Sequence, residues 1–163
     1  MGCDTPTAKD VLDKARAKAV RIATAESCTG GMVAAALTDI PGSSAVVDCG
    51  FVTYSNAAKQ HMLGVSSATL DAVGAVSEAV AREMAQGALA QSQADLSVAI
   101  TGIAGPGGSE HKPEGRVCFA VARTGAEPIS ETVEFGAIGR DNVRTASREH
   151  ALLLLLHALD STV

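Results

Sequence analysis

The chain has 163 residues, 47% of them hydrophobic and 19% charged, with one tyrosine, three phenylalanines and no tryptophan. That length is about one domain and can bury about 70% of its unfolded surface, which excludes a disordered chain and removes the need for a disulfide or metal staple. Lys and Arg total 13 against 18 Asp and Glu, a formal charge of −5, the wrong sign for a protein that wraps nucleic acid or lies on a membrane surface.

Taken in chain order, Thr5-Pro6 reads as a helix start, with Thr as N-cap and Pro in the first turn, and the helix runs to about Ala19. Residues 20–25 read as a short buried strand. Thr29-Gly30-Gly31 opens a helix over about 32–38, closed by the turn at Pro41-Gly42. Residues 46–54 are rich in Val, Phe, Thr and Tyr and suit a strand. Asn56 is placed to cap a short helix holding Lys59 and Met62, and Ser77 to cap a longer one over 78–91 with Met84, Ala88 and Leu89 on one side. Residues 96–101 form a buried strand that runs into Gly102-Ile103-Ala104-Gly105-Pro106-Gly107-Gly108. Two further strands are expected over 116–123 and 129–135, then a helix over 140–160. Leu152, Leu155, Leu156 and Leu159 give that helix a core face, and Leu153 and Leu154 are left for a second layer or another subunit. The order of elements predicts an α/β fold, a three-layer α/β/α sandwich with a mixed, mostly parallel sheet, as one domain over 1–163.

Cys3, Cys28, Cys49 and Cys118 form no C-x-x-C and no Cys/His cluster, and His61, His111, His150 and His157 lack ligand spacing, so neither a metal nor a cofactor is expected. A reduced, cytoplasmic setting fits. No secretory leader is visible, and the apolar run over 151–156 is far short of the roughly 20 residues that span a bilayer.

Four segments could carry chemistry. In Thr24-Ala25-Glu26-Ser27-Cys28-Thr29-Gly30-Gly31 a strand ends, a serine follows and a helix begins after two glycines, so backbone N–H groups there could hold an oxyanion or phosphate. Ser27 or Thr29 could equally be a plain N-cap. Cys28 is a rival nucleophile in the same turn, or a buried inert thiol. In Phe51-Val52-Thr53-Tyr54-Ser55-Asn56-Ala57-Ala58-Lys59 the sole tyrosine ends a strand, and Lys59 falls in the next helix's first turn. The helix dipole and burial there both lower a lysine pKa, as a general base requires. A solvated lysine is the plain alternative. The glycine loop after Thr101 lacks the P-loop ending and the dinucleotide spacing, but lets backbone approach a ligand, or is a simple turn. Arg140, Arg144 and Arg148 share a helix face, either for a phosphate or for solvent.

Together the 24–31 motif, Gly50-Phe51-Val52-Thr53-Tyr54-Ser55-Asn56 with Lys59, and Thr101-Gly102-Ile103-Ala104-Gly105-Pro106 resemble the CinA C-terminal domain family and its stand-alone nicotinamide-nucleotide amidohydrolases, from about Ala17 to the C-terminus. The resemblance implies hydrolysis of the carboxamide of nicotinamide mononucleotide to nicotinic acid mononucleotide and ammonia, by a Ser/Lys mechanism without a metal. It implies Ser27 as nucleophile, Lys59 as general base and Tyr54 as a hydroxyl that assists proton transfer. Backbone at Thr29, Gly30 and Gly31 is expected to hold the oxyanion. Thr101, Gly102 and Gly105 are expected to line the nucleotide pocket, and Arg140 and Arg144 to meet the 5′-phosphate. The partners implied are a small-molecule nucleotide and a second copy in a homodimer, with no nucleic acid and no membrane. The stretch Phe135-Gly136-Ala137-Ile138-Gly139-Arg140 carries one residue more between Phe and Arg than the family pattern, and the 105–108 loop is slightly shorter. Larger family members add an N-terminal nucleotide-pyrophosphate hydrolase domain, whose activity is not expected here. A non-catalytic nucleotide-binding or regulatory module is the alternative.

Overall fold

The computed structural model describes residues 8–109 and 111–161. The expected cap at Thr5-Pro6, and Cys3, lie outside the described residues. Five strands make one sheet in the order β2–β1–β3–β4–β5. Strand β1 (Ile22–Glu26) runs parallel to both β2 (Val47–Val52) and β3 (Leu96–Gly102). Strand β4 (Arg116–Arg123) is antiparallel to β3, and β5 (Ile129–Glu134) is antiparallel to β4. The sheet is therefore mixed with parallel and antiparallel pairings in equal number, which corrects the expectation of a mostly parallel sheet. The physical reason lies in residues 103–115. The described residues there contain no helix to carry the chain across a face, so β4 turns back along β3.

Helices pack on both faces. Helices α1 (Ala8–Ala17), α2 (Met32–Thr38) and α6 (Arg140–Asp160) cover one, over Ile22, Leu96, Val98, Ile100 and Phe119. In α1 the buried residues are Ala8, Val11, Leu12 and Ala15, the spacing of one helical stripe. Each buried Leu, Ile or Phe contributes about 1.5–3 kcal/mol. Helices α3 (Asn56–Leu63), α4 (Ser67–Val73) and α5 (Glu78–Ala90) cover the other face, where the strands present Ala23, Ala25, Ala99, Ala120 and Ala122. Alanines let α5 lie close to the sheet. Gly87 lets α3 lie close to α5, since a Cβ there would overlap the Leu63 carbonyl. That contact seats the helix that carries Lys59.

Helix α4 is not foreseen in the sequence; Ser66 caps it, accepting from the N–H groups of Ala68 and Thr69. Ser55, and not Asn56, caps α3, because its Oγ reaches the Ala58 N–H at 3.0 Å. In α6, Leu152, Leu155 and Leu159 are buried, while Leu154 and Leu156 pack half-buried against the core.

The chain leaves β1 for β2 through α2 on one face, and leaves β2 for β3 through α3–α5 on the other. The connections that leave the adjacent carboxyl ends of β1 and β3 run opposite ways along the sheet, to β2 and to β4, and a crevice opens between them. Open α/β sheets bind ligands at such a point.

Candidate active site

The turn after β1 is tied to β3, with the Ser27 N–H donating to Ile100 O at 3.0 Å. Side chains alternate along a strand. Ala23 and Ala25 face α5, so Ser27 emerges on that side and Glu26 on the side of α2. Lys59 lies in the first turn of α3, its N–H donating to Ser55 O at 3.1 Å. Its Nζ lies 3.0 Å from Ser27 Oγ and donates to Thr53 O at 2.9 Å and Tyr54 O at 3.4 Å. None of these three partners is a carboxylate. Lys59 is only 1% exposed, and burial pushes its pKa below the ordinary lysine value of 10.5. The expected nucleophile and base are thus in direct contact, with both side chains buried.

Cys28, next in the chain, is buried. Burial pushes its thiol up to about 11, with the Glu26 carboxylate adding to the rise. The positive end of α2 is not left for the thiol or for an oxyanion. Glu26, fully buried, accepts the N–H groups of Val33 at 3.0 Å and Ala34 at 3.1 Å. Sequence reasoning missed this role. Residues 27–31 separate Glu26 from the helix whose N–H groups it meets, so no local pattern marks it.

A cavity of about 370 Å³ opens over the pair, lined by Ser27, Cys28, Tyr54, Lys59, Arg140 and residues 101–109 among others. Thr29, Gly30 and Gly31 are not in its lining, and the Gly30 N–H donates to Ser27 O at 3.0 Å. Of the three expected oxyanion donors, the Gly30 N–H is thus already engaged within the turn. Arg144 is also outside the lining. Its guanidinium donates to Cys28 O at 3.1 Å and Thr29 O at 3.5 Å, which ties it to the Ser27 turn. Arg148 pairs with Glu149.

Thr101, Gly102 and Gly105 do line the cavity. The Thr101 hydroxyl is spent within the wall, donating to Ala75 O at 2.9 Å. Tyr54 is 61% exposed at the rim, where its hydroxyl accepts from Arg140 Nη2 at 2.9 Å. Arg140 Nη1 donates to Gly105 O at 2.7 Å, so Arg140 spans the cleft from the end of β2 to the glycine loop. Tyr54 therefore meets Lys59 through its carbonyl and not its hydroxyl. Among the described residues there is no group of three His, Cys, Asp or Glu able to hold a metal ion, and no helix long and apolar enough to cross a membrane.

Residues 4–159 match the family model of the CinA C-terminal domain. The nicotinamide-nucleotide amidohydrolase PncC of Escherichia coli strain K12 is 52% identical over 141 residues, 86% of this chain and 85% of that protein. A putative competence-damage inducible protein of Symbiobacterium thermophilum is 48% identical over 164 residues, 94% of this chain. This chain spans only 38% of that longer relative. The crystal structure of the competence/damage inducible protein CihA of Agrobacterium tumefaciens matches with a TM-score of 0.90 at 47% identity, covering 94% of this chain and 93% of the other. The family model takes in nearly every residue and one relative matches over most of both lengths, so the chain belongs to the CinA C-terminal domain family.

Proposed function

We propose that the chain is an amidohydrolase that cleaves the carboxamide of nicotinamide mononucleotide to nicotinic acid mononucleotide and ammonia, a step of pyridine-nucleotide recycling. The observation that carries this reading is the 3.0 Å contact between Lys59 Nζ and Ser27 Oγ, buried and free of any carboxylate. The relative PncC, named for this activity, supports it.

Neutral Lys59 takes the hydroxyl proton as Ser27 Oγ attacks the carboxamide carbon. The Thr53 carbonyl, 2.9 Å from Nζ, orients the amine and stabilises the ammonium as it forms. Lys59 then returns the proton to the departing nitrogen, the C–N bond breaks, and ammonia leaves. Water, deprotonated by the same amine, cleaves the ester and restores Ser27. The N–H of Cys28, a residue next to the nucleophile that lines the cavity, is the donor we assign to the oxyanion. Arg140, at the rim, is the cation we assign to the 5′-phosphate; its present acceptors, a phenol and a carbonyl, are neutral and weaker than a phosphate would be. The direct Lys59–Ser27 contact leaves a relay through the Tyr54 hydroxyl unnecessary, and Tyr54 would act by holding Arg140. The proposal includes a cytoplasmic homodimer, for which half-buried Leu153 of α6 is available.

Ammonia release from nicotinamide mononucleotide, with free nicotinamide as control, tests the reading. The parent protein should release ammonia from the nucleotide, and Ser27→Ala should not. Equal rates in Ser27→Ala and parent would refute the nucleophile.

A further inference from the structure

The connection from β3 to β4 doubles back as a hairpin. Ser109 and Lys112 exchange backbone hydrogen bonds of 3.0 and 2.8 Å, and the Gly115 N–H donates to Ile103 O at 2.8 Å. The outgoing limb, 101–109, is one wall of the Ser27–Lys59 cavity. Ala75 and Val76, from the link between α4 and α5, belong to another part of the same lining. The two walls are tied to each other. Lys112 Nζ donates to Val73 O and Val76 O, both at 2.6 Å, and Thr101 Oγ1 donates to Ala75 O. Three carbonyls within four residues are therefore held by the hairpin and its strand. The site suits a cation, because Val73 ends α4 and its carbonyl lies at the negative end of that helix. Gly74 fits the arrangement too: its φ is +78°, and a Cβ there would lie 3.0 Å from Lys112 Nζ. A neighbouring cavity of about 640 Å³ shares Asn56, Ala75, Val76, Ile103 and Ser109 with the first and is bordered by Lys112. The place of the link thus sets the dimensions of both.

We infer that Lys112 is a positioning residue that clasps the β3–β4 hairpin to the α4–α5 link and so fixes the width of the substrate cleft. Its ammonium meets the last carbonyl of α4 and the Val76 carbonyl of the link, and not the Ser27–Lys59 pair. It acts on binding, not on bond cleavage. The kinetic consequence rests on the amidohydrolase reading; the structural one does not.

Lys112→Met and Lys112→Arg, compared with the parent by steady-state ammonia release and by amide hydrogen exchange over residues 73–77, test the clasp. Lys112→Met should raise KM for nicotinamide mononucleotide about tenfold or more with kcat within about threefold, since two charge-assisted hydrogen bonds are lost away from the reacting atoms. Exchange over 73–77 should quicken about tenfold as the link opens locally. Lys112→Arg keeps donors for both carbonyls and should recover most of the KM. Unchanged KM and exchange in Lys112→Met would overturn the clasp, as would a fall confined to kcat, or an Arg variant no better than Met. If Lys112→Met does not fold, Lys112→Gln carries the same two measurements. Should the parent release no ammonia, the amidohydrolase reading falls while the exchange data still decide the clasp.

Discussion

Replacing Lys59 by methionine keeps an unbranched side chain of similar length and removes the base. The structure lets the two consequences be weighed separately. The carbonyl of Thr53, a fully buried residue, loses its donor at 2.9 Å, at a cost of about 1–3 kcal/mol. The Tyr54 carbonyl, at 3.4 Å, loses little. Against this, the variant no longer buries an amine whose charged form is penalised. The net loss of stability should be about 0–2 kcal/mol. Activity should fall much further. A positioned general base contributes about 10²–10⁴ in rate, which is about 2.7–5.4 kcal/mol at 1.36 kcal/mol per tenfold. Ammonia release and thermal melting at one pH measure both. Lys59→Arg should be equally inactive, because a guanidinium does not become neutral near pH 7. The stability of the parent should also carry a signature. The native Lys59 pKa is lowered, so the folded chain gives up this proton before the unfolded chain does. Stability should therefore rise with pH from the lowered native value towards 10.5 and level off above it, and Lys59→Met should lose that rise. A Lys59→Met protein that keeps more than about a tenth of the parent kcat/KM would refute the base assignment.

Cys28→Ala should keep ammonia release within about threefold, since a thiol pushed up to about 11 is ionised to about one part in ten thousand at pH 7; a loss as deep as that of Ser27→Ala would move the nucleophile. Glu26→Gln replaces an acceptor of two helix N–H groups by an amide with only one oxygen, and should cost about 1–3 kcal/mol, seen as a melting point lower by about 2–10 °C; an unchanged melt would contradict the account of how α2 is anchored. Arg144→Met should lower kcat with little change in KM, because Arg144 holds the carbonyls of the nucleophile turn. A rise in KM for the nucleotide, with none for the phosphate-free riboside, would return Arg144 to the phosphate.

The legible parts of the fold were those with local causes. Helix α2 follows from two glycines after Thr29, α5 from Ser77 ahead of an apolar stripe, and α6 from leucines at helical spacing. Helix α4 was hidden because Ser-Ser-Ala-Thr reads as loop and only Leu70 of the helix is buried. The choice between Ser55 and Asn56 as cap is one residue wide, and both side chains can cap; the hydrogen bond to Ala58 decides it. The direction of β4 needed the absence of a helix between 103 and 115 to be taken as evidence in itself. At the site, Ser27 and Lys59 were legible because each sits where a strand meets a helix N-terminus. Arg144 was not. Its spacing from Arg140 puts both on one stripe of α6, but no local signal says that this stripe runs from the cleft rim down beneath the Cys28 and Thr29 carbonyls, 116 and 115 residues away in sequence. Glu26 and Lys112 were missed for the same reason, since their partners belong to other elements.

The account depends on an uncharged amine beside the Ser27 hydroxyl. Carbon-13 NMR titration of the lysine side chains, with the Lys59 signal assigned by its loss in Lys59→Met, measures that directly. Lys59 should lose its proton below the ordinary lysine value of 10.5, and kcat/KM should rise with the same ionisation. A Lys59 that stays charged up to 10.5 would contradict the mechanism.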